Sequence, residues 1–324
     1  MIKKERKKSL KIQKLEALLR RLPTSYPKRK SIEDELARRS AGLYGENSLD
    51  FHLSFLSDER YHILHDVRLL DHKDRYFQID SLLISPYFLL ILEVKNYSGT
   101  LTFDQISNQL IRENNGVVEC FPDPFLQVRR QMLQLEWWLQ KNKFPQLPIA
   151  SFIVISNPHT LLKAIPNDPK IFQKVMHAAA LPFKVEKLER MYKKEWLNLK
   201  EIRKISRLLI KQYIQLDDSV LDQYQISKKE LLTGVQCTNC FSLPMQRKRG
   251  SWFCPHCKHS SKDAHLSSLH DYALLVGTTI TNHQAREFLQ IPSISVTSKL
   301  LTSLKLQHSG SLRGRKYELS YLDE

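Results

Sequence analysis

Two apolar runs, residues 76–85 and 88–95, flank a short Ser85-Pro86-Tyr87 break and constrain this chain more than any other segment. Runs of this length bounded by turn residues read as two β-strands joined in a hairpin. Ile79, Leu82, Leu83 and Ile84 on one strand, and Leu89 to Leu92 with Val94 on the other, predict burial on both faces of a sheet. Asp80, Glu93 and Lys95 interrupt that pattern. A turn centred between Pro86 and Tyr87 pairs Ser85 with Phe88 and, by the same count, Asp80 with Glu93. Opposed residues share one face, with Cβ atoms about 4.5–5.5 Å apart. Lys95 lies two residues beyond Glu93 and points to the same side. Three ionisable groups converging in a core sheet need a reason, and a hard divalent cation such as Mg²⁺ is one.

Asp80 followed by Glu93-Val94-Lys95 resembles the PD-(D/E)xK nuclease superfamily. Residues 78–84 (QIDSLLI) with 92–99 (LEVKNYSG) resemble, more narrowly, the nuclease-related domain (NERD) family. Gly45-Glu46 upstream and Asp123-Pro124-x-x-Gln127 downstream fit that family's arrangement, although the family usually has Asn-Pro where this chain has Asp123-Pro124. The resemblance covers residues 31–162. It implies an α/β fold, a restriction-endonuclease-like mixed sheet flanked by helices. It also implies a nuclease in which Asp80 and Glu93 bind Mg²⁺ or Mn²⁺ and Lys95 orients water or stabilises transition-state charge. Glu46 would then be an accessory carboxylate, and Gln127 would meet substrate or the attacking water.

The residues around the hairpin give their own reading. Ser31-Ile32-Glu33-Asp34 predicts a helix start, with an acid at the third position approximating a capping box. Leu49, Leu53 and Leu56 follow Glu46 at helical spacing, placing Glu46 on the core-facing stripe or at its edge. Gly42 and Gly45 would permit close backbone approach. Further strands are expected at 61–70, 100–103, 109–112, 117–119 and 149–156. Asp123-Pro124 reads as N-cap and first turn of a helix. Gln127, Gln131 and Gln134 form a polar row on it, either solvated or turned to the site. A covering helix is expected over 199–213. Strands, then a helix, then a strand imply a mixed α/β core.

A formal charge of +16 favours a polyanionic partner; with the resemblance above, the expected partner is nucleic acid, DNA first. Twelve Lys/Arg against two Glu fall in residues 1–30, so this segment reads as a basic tail. No apolar run approaches the roughly 20 residues of a membrane span, and no secretory h-region opens the chain, so a cytoplasmic protein without membrane partners is expected.

Cys237-x₂-Cys240 and Cys254-x₂-Cys257 have the ligand spacing of a zinc ribbon with structural Zn²⁺. Cys120 is left over. Arg247, Lys248 and Arg249, with Trp252 and Phe253 following, offer cations and aromatics to nucleic acid or form a merely soluble turn. Residues 266–276, 282–289 and 293–304 predict a helix-turn-helix, with Asn282 as an N-cap. Ser295 and Lys299 would lie on its recognition helix, and Arg313, Arg315 and Lys316 on a β-wing, which makes the C-terminus winged-helix-like. The expected organisation is a basic segment 1–30, the nuclease-like domain 31–216, a linker 217–235, a zinc ribbon 236–262 and a winged-helix-like module 263–324. The alternative is a non-catalytic nucleic-acid-binding or regulatory adaptor that retains the nuclease fold.

Overall fold

The computed structural model describes residues 2–57 and 59–319, with Arg313 described in its backbone only. Two helices lie early in the chain, α1 (Leu10–Arg20) and α2 (Arg29–Leu53). The chain divides into two compact units, Met1–Lys7 with Arg39–Gln215 and Lys8–Arg38 with Leu216–Glu324. The expected boundaries differ: neither 1–30 nor 217–235 stands apart as tail or linker.

The first unit contains β1 (Ile2–Lys4), β2 (His62–Leu70), β3 (Tyr76–Ile84), β4 (Leu89–Lys95), β5 (Thr100–Asp104), β6 (Gln109–Asn114) and β7 (Val117–Pro122). These are followed by α3 (Pro124–Lys141), β8 (Ile149–Ile155), β9 (Leu161–Ile165), β10 (Val175–His177), α4 (Leu181–Met191) and α5 (Leu199–Lys211). A six-stranded mixed sheet has the order β1-β2-β3-β4-β8-β10, and a four-stranded sheet the order β7-β6-β5-β9. Strands β2, β3 and β4 run antiparallel to one another, whereas β4, β8 and β10 are parallel. The larger sheet is covered on both faces. Leu82, Ile84, Leu89 and Ile91 pack on one side with Leu135 and Trp138 of α3 and Ile202 and Ile205 of α5. Leu83, Leu90, Leu92 and Val94 pack on the other with Leu49 and Leu53 of α2 and Leu181 and Val185 of α4.

The hairpin register is the expected one: Ile84 pairs with Leu89 and Ser81 with Leu92. The ladder ends there, however, so Asp80 and Glu93 do not form the expected cross-strand pair. Strand β3 continues with β2, and β4 continues with β8 through Lys95↔Ile155. Inward residues of β3 change parity at this point, from Ile84 and Leu82 to Ile79 and Phe77 in the same core. On β2 the change falls at Asp66, which takes a left-handed φ of 50°. The carbonyls of His65 and Asp66 accept Lys4 Nζ at 2.9 and 2.8 Å, so β1 supplies a donor where the strand twists. The two strands therefore part beside Asp80, and the site lies where they open.

Helix α2 begins two residues before Ser31, whose hydroxyl donates to the Lys28 carbonyl rather than capping. Asp123 does cap α3, accepting the Phe125 N–H at 2.7 Å. Of the two glycines in α2, only Gly45 is needed for close packing. A Cβ there would sit 2.4 Å from Asn96 Cβ, whereas one on Gly42 would meet nothing.

In the second unit, Leu15, Leu18, Leu22 and Ile32 pack with Val220 and Leu221 of α6 (Val220–Gln223), and with Ile226, Leu231 and Leu275. Arg21 is fully buried and donates to Asp271 Oδ2 at 2.8 Å and to the Gly234 carbonyl at 2.7 Å. Arg20 takes the other Asp271 oxygen at 2.6 Å. Part of the basic N-terminal charge is thus spent inside the fold. A small antiparallel sheet is formed by β11 (Gln246–Lys248), β12 (Ser251–Phe253) and β13 (Ser260–Ser261), with Cys237 and Cys240 before β11 and Cys254 and Cys257 between β12 and β13. Helices α7 (Ala264–Leu275), α8 (Asn282–Leu289) and α9 (Ile294–Ser303) follow. Strands β14 (Thr279–Thr281), β15 (His308–Ser309) and β16 (Lys316–Glu318) form a second antiparallel sheet. Thr281, not Asn282, caps α8 through a capping box with Gln284. Cys237, Cys254 and Trp252 share one core with Leu269, Ile280, Leu289 and Leu301, so the cysteine knuckles, their small sheet and the three helices pack as one body.

Candidate functional site

The centre of the site is Glu93. It is 2 % exposed, and both of its oxygens are held by protein donors. Lys95 Nζ donates to Oε1 at 2.7 Å and Gln127 Nε2 to the same oxygen at 2.6 Å. Gln131 Nε2 donates to Oε2 at 2.8 Å and to the Gln78 carbonyl at 2.9 Å. Lys95 Nζ also reaches Gln127 Oε1 at 3.1 Å, closing a three-residue ring of hydrogen bonds. The spacing i, i+2 on β4 and i, i+4 on α3 brings these four side chains together. Gln131 sits in the polar row seen in the sequence, but its enclosure by Glu93 and Gln78 arises only from packing. Gln134, one turn further, binds Asp71 Oδ2 at 3.1 Å.

Asp80 approaches from β3. Its Oδ2 accepts the Val94 N–H at 2.8 Å, taking a main-chain donor next to the last residue pair of the ladder. Burial, Glu93 and Glu46 together push the Asp80 carboxyl well above the ordinary carboxylate range. Burial would depress Lys95, but the facing Glu93 and Asp80 outweigh it and raise the ammonium. Burial pushes Glu46 up to about 7, with Arg6 opposing and Asp66 and Glu93 adding to the rise. The site is rich in carboxylates that resist ionising together.

Arg6 answers part of that charge. Its side chain is 2 % exposed, with Nε 3.2 Å from Glu46 Oε2 and Nη1 3.0 Å from Asp50 Oδ1. Nη2 donates to Ser81 Oγ at 3.1 Å and lies 2.9 Å from His65 Nδ1. Burial first, and Arg6 next, lower the His65 imidazole to about 4, so it is neutral near pH 7. Neither Arg6 nor His65 was distinguishable in the sequence, because Arg6 lies in a run of cations whose pairing depends on β1 joining the sheet. Asn96 supports the same corner, donating to the Ala41 carbonyl at 2.7 Å beneath Gly45. Asp123 is buried and accepts Gln105 Nε2 at 3.2 Å in addition to capping α3.

The four cysteines form a second constellation. Among the described residues, the group of three or more ligand atoms found within 4.8 Å of one another is Cys237, Cys240, Cys254 and Cys257. The Cys237–Cys257 and Cys240–Cys254 sulfurs are each 3.6 Å apart. Four tetrahedral bonds of about 2.3 Å set sulfurs about 3.8 Å apart, so the set can hold a metal such as zinc. The two knuckles have the same turn: the Phe241 and Lys258 amides bond the first cysteine's carbonyl at 3.0 Å, and both residues are left-handed. Glu46, Asp80 and Glu93 are not drawn into such a tight group among the described residues.

The remaining expected contacts are distributed over the second unit. Lys248, Arg249, Ser295, Lys299 and Lys316 are exposed. Arg247 is half-buried, its guanidinium 5.0 Å over the Trp252 ring. Trp252 is fully buried and donates to His265 Nδ1 at 3.2 Å, which removes it from base stacking. Phe253 lies under Lys248 at 4.6 Å. Arg315 is half-buried, and the side chain of Arg313 lies outside the described residues.

Residues 41–156 match the family model of the nuclease-related domain (NERD). This segment contains Glu46, Asp80, Glu93, Lys95 and Gln127, and excludes Arg6 and the cysteines. An uncharacterized protein of Bacillus anthracis is 27 % identical over 114 residues, covering 34 % of this chain and 52 % of that protein. The match spans about half the length of that curated relative. No solved structure matches the chain significantly. Among the described residues, no helix is long and apolar enough to cross a membrane.

Proposed function

We propose that the protein is a metal-dependent nuclease that hydrolyses phosphodiester bonds of nucleic acid, DNA in the first instance. The observation carrying this reading is the buried Glu93, ringed by Lys95, Gln127 and Gln131 where Asp80 meets the end of the β3–β4 ladder. The nuclease-related match over the same residues supports it. Asp80 and Glu93 would hold Mg²⁺ or Mn²⁺, for which hard carboxylate oxygens are suited and one or two protein carboxylates suffice. The raised Asp80 and Glu46 carboxyls, beside the buried Glu93, fit a site meant to receive positive charge. Such an ion supplies Lewis acidity and a bound water of lowered pKa.

The chain's own residues do the rest. Lys95, paired to Glu93, keeps a compact positive charge at the scissile phosphate, where it orients the attacking water or stabilises developing charge. Gln127 bonds both members of that pair and fixes the ammonium's direction. Gln131 anchors Glu93 from its other oxygen. Glu46, held by Arg6, is the accessory carboxylate. In the second unit, the cysteines would hold structural Zn²⁺. Helices α7–α9 with the β14–β16–β15 sheet support a winged-helix-like module. Lys248, Arg249, Ser295, Lys299, Arg313, Arg315 and Lys316 are its proposed nucleic-acid contacts, with Arg247 at the edge of the ribbon.

One observation favours the alternative of a non-catalytic binder: both Glu93 oxygens already accept protein donors. The two readings separate on cleavage of labelled single-stranded, duplex and branched DNA and of RNA, with and without Mg²⁺ or Mn²⁺. Metal-dependent cleavage lost in Asp80→Ala and Lys95→Ala, with binding retained, is the expected result. Binding without cleavage under every metal would sink the nuclease reading.

A further inference from the structure

Beside Glu93 the first unit carries a groove of about 420 Å³ between the start of β3 and the outer face of α3. Gln127 and Gln131 line it as well as the site, so the two are continuous. Its other walls include Arg75 and Arg130, which are cationic, and Tyr76 and Trp137, which are aromatic and substantially exposed. Among the described residues, no carboxylate lines it. The fold holds these groups in place. Buried Asp71 accepts Arg75 Nε and Nη2 at 3.0 and 2.9 Å, and the Arg68 guanidinium stacks 3.9 Å from the Tyr76 ring. Trp137 packs against the His72 ring at 4.1 Å. Gln131 is 4 % exposed, and its Oε1 has no hydrogen-bond partner. That oxygen is itself enclosed, so Gln131 serves the groove as a fixed wall, held through Nε2 by Glu93 and the Gln78 carbonyl.

Resting on the nucleic-acid reading above, we propose that this groove binds the single-stranded segment of the substrate leading into the site. Aromatic faces beside cations recognise unstacked bases and their phosphates. In a duplex the base faces are already occupied by neighbouring pairs, so no base is available to the exposed parts of Tyr76 and Trp137. The groove thus selects strands, or frayed and branched ends, over continuous duplex.

The test is fluorescence anisotropy without added divalent metal, using labelled oligothymidylate of about 12 nucleotides and a hairpin duplex of equal length. The groove variants are expected to lose affinity for the strand and to keep their affinity for the duplex, which the second unit can also contact. Trp137→Ala should weaken strand binding by at least about fivefold, with Trp137→Phe largely retaining it. Arg130→Ala should weaken it and reduce its salt dependence by about one phosphate contact. Trp137 and Arg130 are exposed, and far-UV circular dichroism verifies that the variants fold. Unchanged strand affinity in both alanine variants, no strand binding by the wild type, or an equal loss of duplex and strand affinity in Trp137→Ala would each overturn the proposal. Because cleavage is not read, failure to cut with Mg²⁺ would count against the nuclease alone.

Discussion

Arg6 Nε lies 3.2 Å from Glu46 Oε2, tying the segment after β1 to helix α2. The guanidinium also meets Asp50, Ser81 and His65, and it is almost wholly enclosed. Arg6→Ala would leave Glu46 and the partly exposed Asp50 without their counter-charge. Removing one member of a buried pair is strongly unfavourable, and solvent near the two acids moderates it to about 1–3 kcal/mol. Chemical denaturation measures the loss, and Arg6→Lys should restore part of it. A variant as stable as the wild type would show that the pair contributes nothing to the fold.

Gly45 and Gly42 should respond oppositely to alanine. A Cβ at Gly45 meets Asn96 Cβ at 2.4 Å and Ser156 Oγ at 2.6 Å, so Gly45→Ala forces α2 away from the ends of β4 and β8. Overpacking of this kind costs about 1–3 kcal/mol. Gly42→Ala has open space and a helical backbone, and should stabilise by about 0.5–1 kcal/mol. Thermal melts of the two variants decide the point; equal shifts in the same direction would contradict the packing described.

His65 makes stability depend on mild acid. Its folded value of about 4 lies below the ordinary 6.5, chiefly through burial and then Arg6. The unfolded chain therefore binds more protons between these values. The contribution is complete above 6.5, and is lost as pH falls toward 4. Urea midpoints at pH 7.5 and pH 5 should converge in His65→Gln relative to the wild type. An unaltered difference would place the titrating group elsewhere.

Metal removal should loosen the second unit well beyond the knuckles. Cys237, Cys254 and the fully buried Trp252 share a core with α7, α8 and α9. Elemental analysis should find one zinc per chain, and chelation or Cys254→Ser should shift tryptophan emission to the red as Trp252 meets water. Full retention of the emission maximum after metal loss would mean that this core stands without the ion.

Much of the local order was legible from sequence. Alternation and apolar runs marked the strands, Asp123-Pro124 marked the start of α3, and the position of Pro86 predicted the register that pairs Ser81 with Leu92. The cysteine spacing anticipated the sulfur cluster. These features depend on backbone periodicity and short-range turn chemistry, which a linear sequence carries directly. Tertiary structure alone decided that the ladder ends before Asp80 and Glu93, that Asp80 instead binds the Val94 amide, and that Gln131 closes over Glu93. It also drew Arg6 and Arg21 out of an apparently solvated basic segment into buried ion pairs. Those outcomes depend on contacts between residues 14 to 250 positions apart, where desolvation selects the partner that packing brings within reach.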